Sequence, residues 1–169
     1  MQTKNRLQSL AYLAVLTAVQ IVLSRFCSIS TYHLKIGFSF LPVALGAVLM
    51  GPLGGAVVAG LGDFLGAILF PIGPYFPGFT LTSAIGGALY GVALRKKEQR
   101  LRGLIAVVLF NQLVLGLLVN TLWISLLYGT PYEVLLGTRV WQCCVMIPVE
   151  IFAISALMGV LPRIRKQVQ

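Results

Sequence analysis

Long apolar runs, broken by short polar or glycine- and proline-rich stretches, give this chain its pattern. The first run goes from Leu7 to Ser24 and gives way to a polar, aromatic stretch from Arg25 to Lys35. The second, Ile36 to Met50, is short and interrupted by Pro42, and Gly51-Pro52 then reads as a tight turn. A third run covers Leu53 to Phe70. Residues Pro71 to Gly78 hold three prolines and two glycines in eight positions and are expected to be non-helical. The remaining runs are Phe79 to Leu94, Leu104 to Tyr128 and Leu136 to Leu161, with a basic loop, Arg95 to Arg102, between the first two of these. A transmembrane helix needs about 20 apolar residues. The pattern therefore predicts an all-α membrane protein, a compact bundle of six transmembrane helices forming one domain over residues 1–169.

Composition supports this. The 169 residues are 58% hydrophobic and 10% charged, against about 25% charged in an ordinary soluble domain. Ten of the 13 Lys and Arg residues fall in three clusters beside apolar runs: Lys4 and Arg6; Arg95, Lys96, Lys97, Arg100 and Arg102; Arg163, Arg165 and Lys166. The positive-inside rule places all three in the cytoplasm. Six spans return both termini to that side, so charge and span count agree on cytoplasmic termini. The loops 25–35, 71–78 and 129–135 then lie outside. A net charge of +9 usually raises the question of nucleic acid, but these cations flank spans and form no soluble face. The first run ends in Ser24-Arg25-Phe26 without a small-residue cleavage site and reads as a retained span.

Chemistry-bearing motifs are few. The only histidine is His33, the four carboxylates are scattered, and no zinc-protease, nucleophile-elbow or phosphate-loop pattern occurs. No catalytic and no metal-binding residues are expected. Cys27, Cys143 and Cys144 make neither a disulfide framework nor a metal spacing and read as small buried apolar side chains. Asp63 and Glu150, within spans, read as structural hydrogen-bonding groups between helices, and Glu133 as a solvated loop residue.

Three cations stand outside the clusters: Arg25, Lys35 and Arg139. All fall at one membrane face. Each fits a snorkelling role, but Arg139 lies about one turn inside span 6 beside Thr138, Trp141 and Gln142, and an intramembrane ionisable group is a functional candidate. A guanidinium suits a carboxylate, so this rim points to an anionic ligand. At the same level lie Tyr75, Phe76 and Phe79, and Asn120-Thr121-Leu122-Trp123. Interfacial aromatics are common in any membrane protein. Yet Asn120 sits roughly 12 Å below the end of span 5 at 1.5 Å per residue, where an amide needs a partner. Aromatic faces with amide and guanidinium donors suit a flat heteroaromatic ligand.

Small residues recur at helical spacing: Ala11, Ala14 and Ala18; Gly55 and Ala59; Gly62 and Gly66; Gly87 and Gly91. Such pairs let helix backbones approach closely. Spans 3 and 4 would use them inside the bundle. The alanine stripe of span 1 fits either internal packing or a partner protein.

These motifs carry a resemblance. Ala14-x-x-x-Ala18, Gly51-Pro52-Leu53-Gly54-Gly55 and Gly60-Leu61-Gly62-Asp63-Phe64-Leu65-Gly66 resemble the substrate-binding S components of energy-coupling factor (ECF) vitamin importers, over essentially the whole chain. The stretch from Phe70 to Thr80, Asn120-Thr121-Leu122-Trp123 and Thr138-Arg139 look like the folate-specific branch. Cys143-Cys144 departs from it, standing where some relatives have polar pocket residues. The resemblance implies a six-helix, non-enzymatic protein of the bacterial plasma membrane. It would bind folate from outside with high affinity, under the loops joining spans 1–2, 3–4 and 5–6. It would deliver folate inward with a membrane coupling protein and two cytoplasmic ATPases. The chain would hold no cofactor, ATP being used by the partners, and Ala11, Ala14 and Ala18 would be docking residues. Arg25, Lys35, Tyr75, Phe76, Phe79, Asn120, Trp123, Arg139 and Gln142 would line the ligand, with the roles of the cations left open. Other readings are an S component for another vitamin or precursor, such as riboflavin or hydroxymethylpyrimidine, and an autonomous secondary carrier. The latter would want polar groups through the bundle or inverted repeats; Asp63, Asn111, Gln112 and Glu150 are the deep candidates. A ligand-free assembly protein fits poorly with cations, aromatics and amides clustered at one face.

Overall fold

A computed structural model describes the backbone of residues 2–30, 35–94 and 100–168 and the side chains of residues 7–28, 37–94 and 101–159. Helix α1 (Gln2–Arg25) leads into a short antiparallel hairpin, β1 (Ser28–Ser30) against β2 (Lys35–Gly37), with Ile29 opposite Ile36. Then come α2 (Phe40–Leu69) and α3 (Pro77–Ala93). An unbroken helical rod follows, made of α4 (Arg100–Leu109), a π-helical stretch (Phe110–Val119) and α5 (Asn120–Tyr128), and α6 (Tyr132–Val168) completes the bundle.

Among the described residues, four stretches are long and apolar enough to cross a bilayer: Leu7–Arg25, Phe40–Leu69, Leu101–Tyr128 and Tyr132–Gly159. The expectation of six spans is thus met only in part by length and composition. Two facts account for the difference. α3 has 17 residues, at the lower end of what crosses a bilayer. α2 is continuous in sequence but broken at Gly51, whose φ of 77° and ψ of −163° belong to a region open essentially to glycine alone. Its arms, 40–50 and 52–69, fold back on each other: a Cβ on Gly54 would lie 2.7 Å from the Gly46 carbonyl oxygen.

Several boundaries differ from the sequence pattern for local reasons. Ile36 and Gly37 pair in β2 and do not begin a helix. Pro42 lies in the first turn of α2, where a missing N–H breaks no intrahelical bond, so it does not interrupt the element. Pro77 likewise opens α3, so Pro77 and Gly78 are helical and the irregular link is shorter than 71–78. α6 starts at Tyr132, which shortens the 129–135 loop. Arg100 and Arg102 are already in α4, while His33 and Arg95 to Lys97 lie outside the described residues.

Small residues set the packing. Gly55 and Gly87 meet backbone to backbone, so that a Cβ on either would strike the other's carbonyl oxygen, and Gly91 sits against Gly51 and Pro52. α2 and α3 therefore pack at close backbone distance, as expected where lipid provides no hydrophobic drive between helices. Ala44, Val58, Leu94, Leu104, Val108 and Ile154 fill the centre. Outside, Leu53, Phe152 and Trp141 are 80%, 79% and 69% exposed. So much apolar surface is tolerable only against lipid or a partner. Ala11, Ala14 and Ala18 are all exposed, which removes the internal-packing reading of that stripe.

Candidate functional site

One end of the bundle gathers the hairpin, the 70–76 link and the 129–131 link. Phe26 meets Phe70 edge to face at 5.1 Å, and Phe76 meets Trp123 at 5.3 Å. A cavity of about 260 Å³ runs inward from that end, just below the usual range for ligand pockets of roughly 300–1,000 Å³. Gly37, Ser39 and Phe40 border its outer part, with Asn120 from α5 and Arg139 and Gln142 from α6. Its inner part is bordered by Tyr90 of α3, Asn111 and Gln112 of the π stretch, and Glu150 of α6. Gln20 of α1 and Thr82 and Ser83 of α3 complete the polar wall.

The π stretch contributes to this wall. Wider π turns rotate side chains off the α-helical register and are frequent at functional sites. Here they bring Asn111, Gln112, Leu115 and Gly116 to the same cavity. Asn111 Nδ2 donates to the Gly86 carbonyl at 3.3 Å, and Gln112 Nε2 donates to Glu150 Oε2 at 3.1 Å. Arg139 is 8% exposed and donates through Nη1 to Thr121 Oγ1 at 3.2 Å. Cys143, buried in the wall, donates to the Gln112 carbonyl at 3.4 Å. Several buried polar atoms here have no protein partner: Gln20 Oε1, Asn111 Oδ1 and Asn120 Oδ1. A buried group left without a partner costs about 1–3 kcal/mol; of these atoms, Gln20 Oε1 lies against Gly62, which is not part of the cavity lining.

A family model for the ECF transporter substrate-specific component matches residues 8–160. The chain belongs to that family. It is a multi-pass membrane protein, by its family and by its apolar helices. It is 33% identical over 160 residues to the folate transporter FolT of Clostridium novyi (strain NT), covering 95% of this chain and 93% of that one. To the folate transporter FolT of Leuconostoc mesenteroides it is 29% identical over 148 residues, covering 82% and 78%. A crystal structure of FolT bound with folic acid superposes with a TM-score of 0.80 at 34% identity, covering 86% of this chain and 90% of that one. The S component of a bacterial ECF transporter shares the fold, with a TM-score of 0.66 at 22% identity over 92% and 98% of the two chains.

Within this family member the expected site residues divide into two groups. Asn120, Arg139 and Gln142 border the cavity. The aromatic residues mostly pack on one another beside it. Phe76 lies against Trp123 and against Phe79, the latter at 6.1 Å. Tyr75 meets Phe64 at 5.7 Å, and its hydroxyl lies 3.2 Å from Thr80 Oγ1. Trp123 reaches the cavity only through Thr82, donating to its Oγ1 at 3.1 Å. Of the two stray cations whose side chains are described, Arg139 borders the cavity and Arg25 does not. Arg25 lies over Gly66, with Nε 3.0 Å from where a Cβ would be, and feels the charge of Asp63. The Lys35 side chain lies outside the described residues. Asp63 accepts from Thr80 Oγ1 at 3.0 Å and Glu150 from Gln112, so both carboxylates make the interhelical bonds expected of them.

Sequence reasoning missed Gln20, Thr82, Ser83 and Tyr90, and did not assign Asn111, Gln112 or Glu150 to a binding site. The available signal was the presence of Gln20 and the pair Asn111-Gln112 inside otherwise apolar runs. Of the cysteines, only Cys143 is buried; Cys27 and Cys144 are exposed, and all three are free. Cys144 lies on α6, where an exposed thiol facing lipid costs little, and Cys27 lies in the bend between α1 and β1.

Proposed function

We propose that this chain is the folate-binding S component of an ECF-type importer. It takes folate from the extracellular side of the bacterial plasma membrane and passes it inward with a membrane coupling protein and two cytoplasmic ATPases. The observation that carries the reading is the polar cavity with its buried guanidinium, in a bundle that superposes on FolT bound with folic acid. On this reading the chain crosses the membrane six times, through α1, both arms of α2, α3, the α4–π–α5 rod and α6. Both termini are cytoplasmic, as are the three basic clusters, one near each terminus and one in the 95–102 loop. The chain is a binding protein and not an enzyme; it uses no cofactor, since ATP belongs to its partners. The exposed face of Ala11, Ala14 and Ala18 is the docking surface for the coupling protein.

Calorimetric titration tests this directly. The single chain, purified in detergent, is titrated without ATP with folic acid, riboflavin, thiamine and biotin separately. Saturable heat with folic acid alone is expected. Tight binding of one of the others would keep the transporter role and replace the ligand, and silence from all four would end the folate reading and turn attention to other vitamin precursors.

A further inference from the structure

We propose that the end of the bundle opposite the cavity mouth binds an anionic phospholipid, its phosphate held by cations that α4 and α6 bring together there. The site lies outside the cavity and does not depend on which vitamin the cavity takes.

The argument begins with placement. The rod and α6 are joined by the short 129–131 link at the cavity-mouth end and run antiparallel. Arg102 and Arg163 lie 28 and 33 positions from Thr130 along the two helices, so both come to the far end. There α4 and α6 pack together, Leu104 and Ile154 belonging to one core cluster with Met158 against it. The two helices thus carry Arg100 and Arg102 beside Arg163, Arg165 and Lys166. The apolar span of α6 ends at Gly159, yet the helix continues to Val168. At about 1.5 Å per residue, its three cations come roughly 6 to 10 Å beyond the span. The headgroup layer adds about 5–8 Å on each side of the hydrocarbon core, so these positions stand at the depth of lipid phosphates.

Little in the chain offsets this charge. No carboxylate follows Glu150 and none falls between Glu98 and Glu133, while Glu98 itself follows Arg95, Lys96 and Lys97. The cations of α6 suit the negative end of that helix's dipole, but Arg100 and Arg102 stand in the first turn of α4, which holds no acidic residue. Cations are disfavoured at that end of a helix, and an anion placed there relieves the repulsion among all five. The positive-inside rule explains why cations lie on one side of the membrane; it does not gather them on two neighbouring helices. Apolar surface beside them selects a lipid over a free anion. Leu101 and Ile105 of α4 are 58% and 38% exposed, and Arg102 between them is exposed too. Acyl chains cover such residues while the headgroup meets a guanidinium, whose fork matches phosphate. Basic sites between transmembrane helices recognise headgroups in this way.

Native mass spectrometry of the detergent-purified chain, titrated with phosphatidylglycerol or with phosphatidylcholine of the same acyl chains, tests this. Phosphatidylglycerol should be retained at concentrations at least about tenfold below those phosphatidylcholine needs. Each cation near an anionic headgroup contributes roughly fivefold. The triple variant Arg163→Gln, Arg165→Gln, Lys166→Gln should therefore bind phosphatidylglycerol about 100-fold more weakly, with its helical circular dichroism unchanged. Lys4→Gln with Arg6→Gln, on α1, should cost less than about threefold. If the triple variant fails to fold, Arg102→Gln alone is expected to lose about fivefold. A wild-type preference for phosphatidylglycerol below about threefold overturns the proposal, as does an undiminished affinity in the α4 or α6 variant. Equal losses in the α1 and α6 variants would overturn it too, since net charge alone would then attract the lipid. Displacement of the lipid by millimolar inorganic phosphate would give the cations to a free anion and sink the lipid assignment.

Discussion

Arg139 shows what a single side chain contributes. It is withdrawn from solvent and bonded to Thr121, yet a guanidinium carries five N–H donors. Holding such a group in a helical bundle is costly unless something anionic or strongly accepting meets it. Arg25 differs. It lies beside Asp63 and over Gly66 on the α1–α2 side, away from the cavity lining. Arg139→Ala is therefore expected to weaken folic acid binding by at least tenfold, about 1.4 kcal/mol, with the helical circular dichroism of the purified protein unchanged. Titration of that variant decides the point, and wild-type affinity would take Arg139 out of the site. The sequence already set Arg139 apart by its depth in span 6, but proximity to a span end did not show which neighbour the Arg25 side chain finds.

At the scale of elements, most of the helical pattern was legible. Apolar runs of sufficient length, with Gly51-Pro52 and the 71–76 prolines as punctuation, place every long helix, while α1 and α6 extend beyond the runs at their polar ends, α6 as far as Val168. Three features were not legible. The 28–37 hairpin has strands of three residues each, too short for any alternation to emerge. The π stretch from Phe110 to Val119 has the same composition as an α-helix and differs only in hydrogen-bond register. The cavity wall depends on isolated polar residues, Gln20, Thr82 and Tyr90 among them, that apolar averaging hides. The aromatic cluster was visible as a group, but whether rings face a ligand or each other depends on packing, and here Phe76, Phe79 and Trp123 face each other. The break in α2 invites its own measurement. Nothing lies within 4 Å of a Cβ built on Gly51, so Gly51→Ala tests conformation free of crowding. Its backbone region costs a non-glycine residue about 1–3 kcal/mol. The variant should melt several degrees below wild type in detergent, and an unchanged melting temperature would show that the arms can turn without that conformation.

For the whole molecule, the surface divides the labour. The cavity opens toward the hairpin end, while the alanine face of α1 points outward along the side of the bundle. Binding and docking should therefore separate. Ala14→Trp or Ala18→Trp places bulk on a close-contact face without entering the cavity. Each is expected to abolish folate uptake by cells carrying the coupling protein and ATPases, while folic acid titration of the purified variant stays at wild-type affinity. Normal uptake by both variants would remove the docking role from this face.

The glycine contact between α2 and α3 has a consequence for how the molecule deforms. Most contact between elements lies in α1 with α2 and α2 with α3, locked where Gly55 meets Gly87 with no side chain between them. The α4–π–α5 rod and α6 touch that block more sparingly. Stiffness is thus unequally shared, with a rigid slab on one side of the cavity and a pliant wall on the other. The alanine face belongs to the slab. A partner gripping it would move half the cavity as one solid piece, and any change in the cavity's width would have to come from the other half.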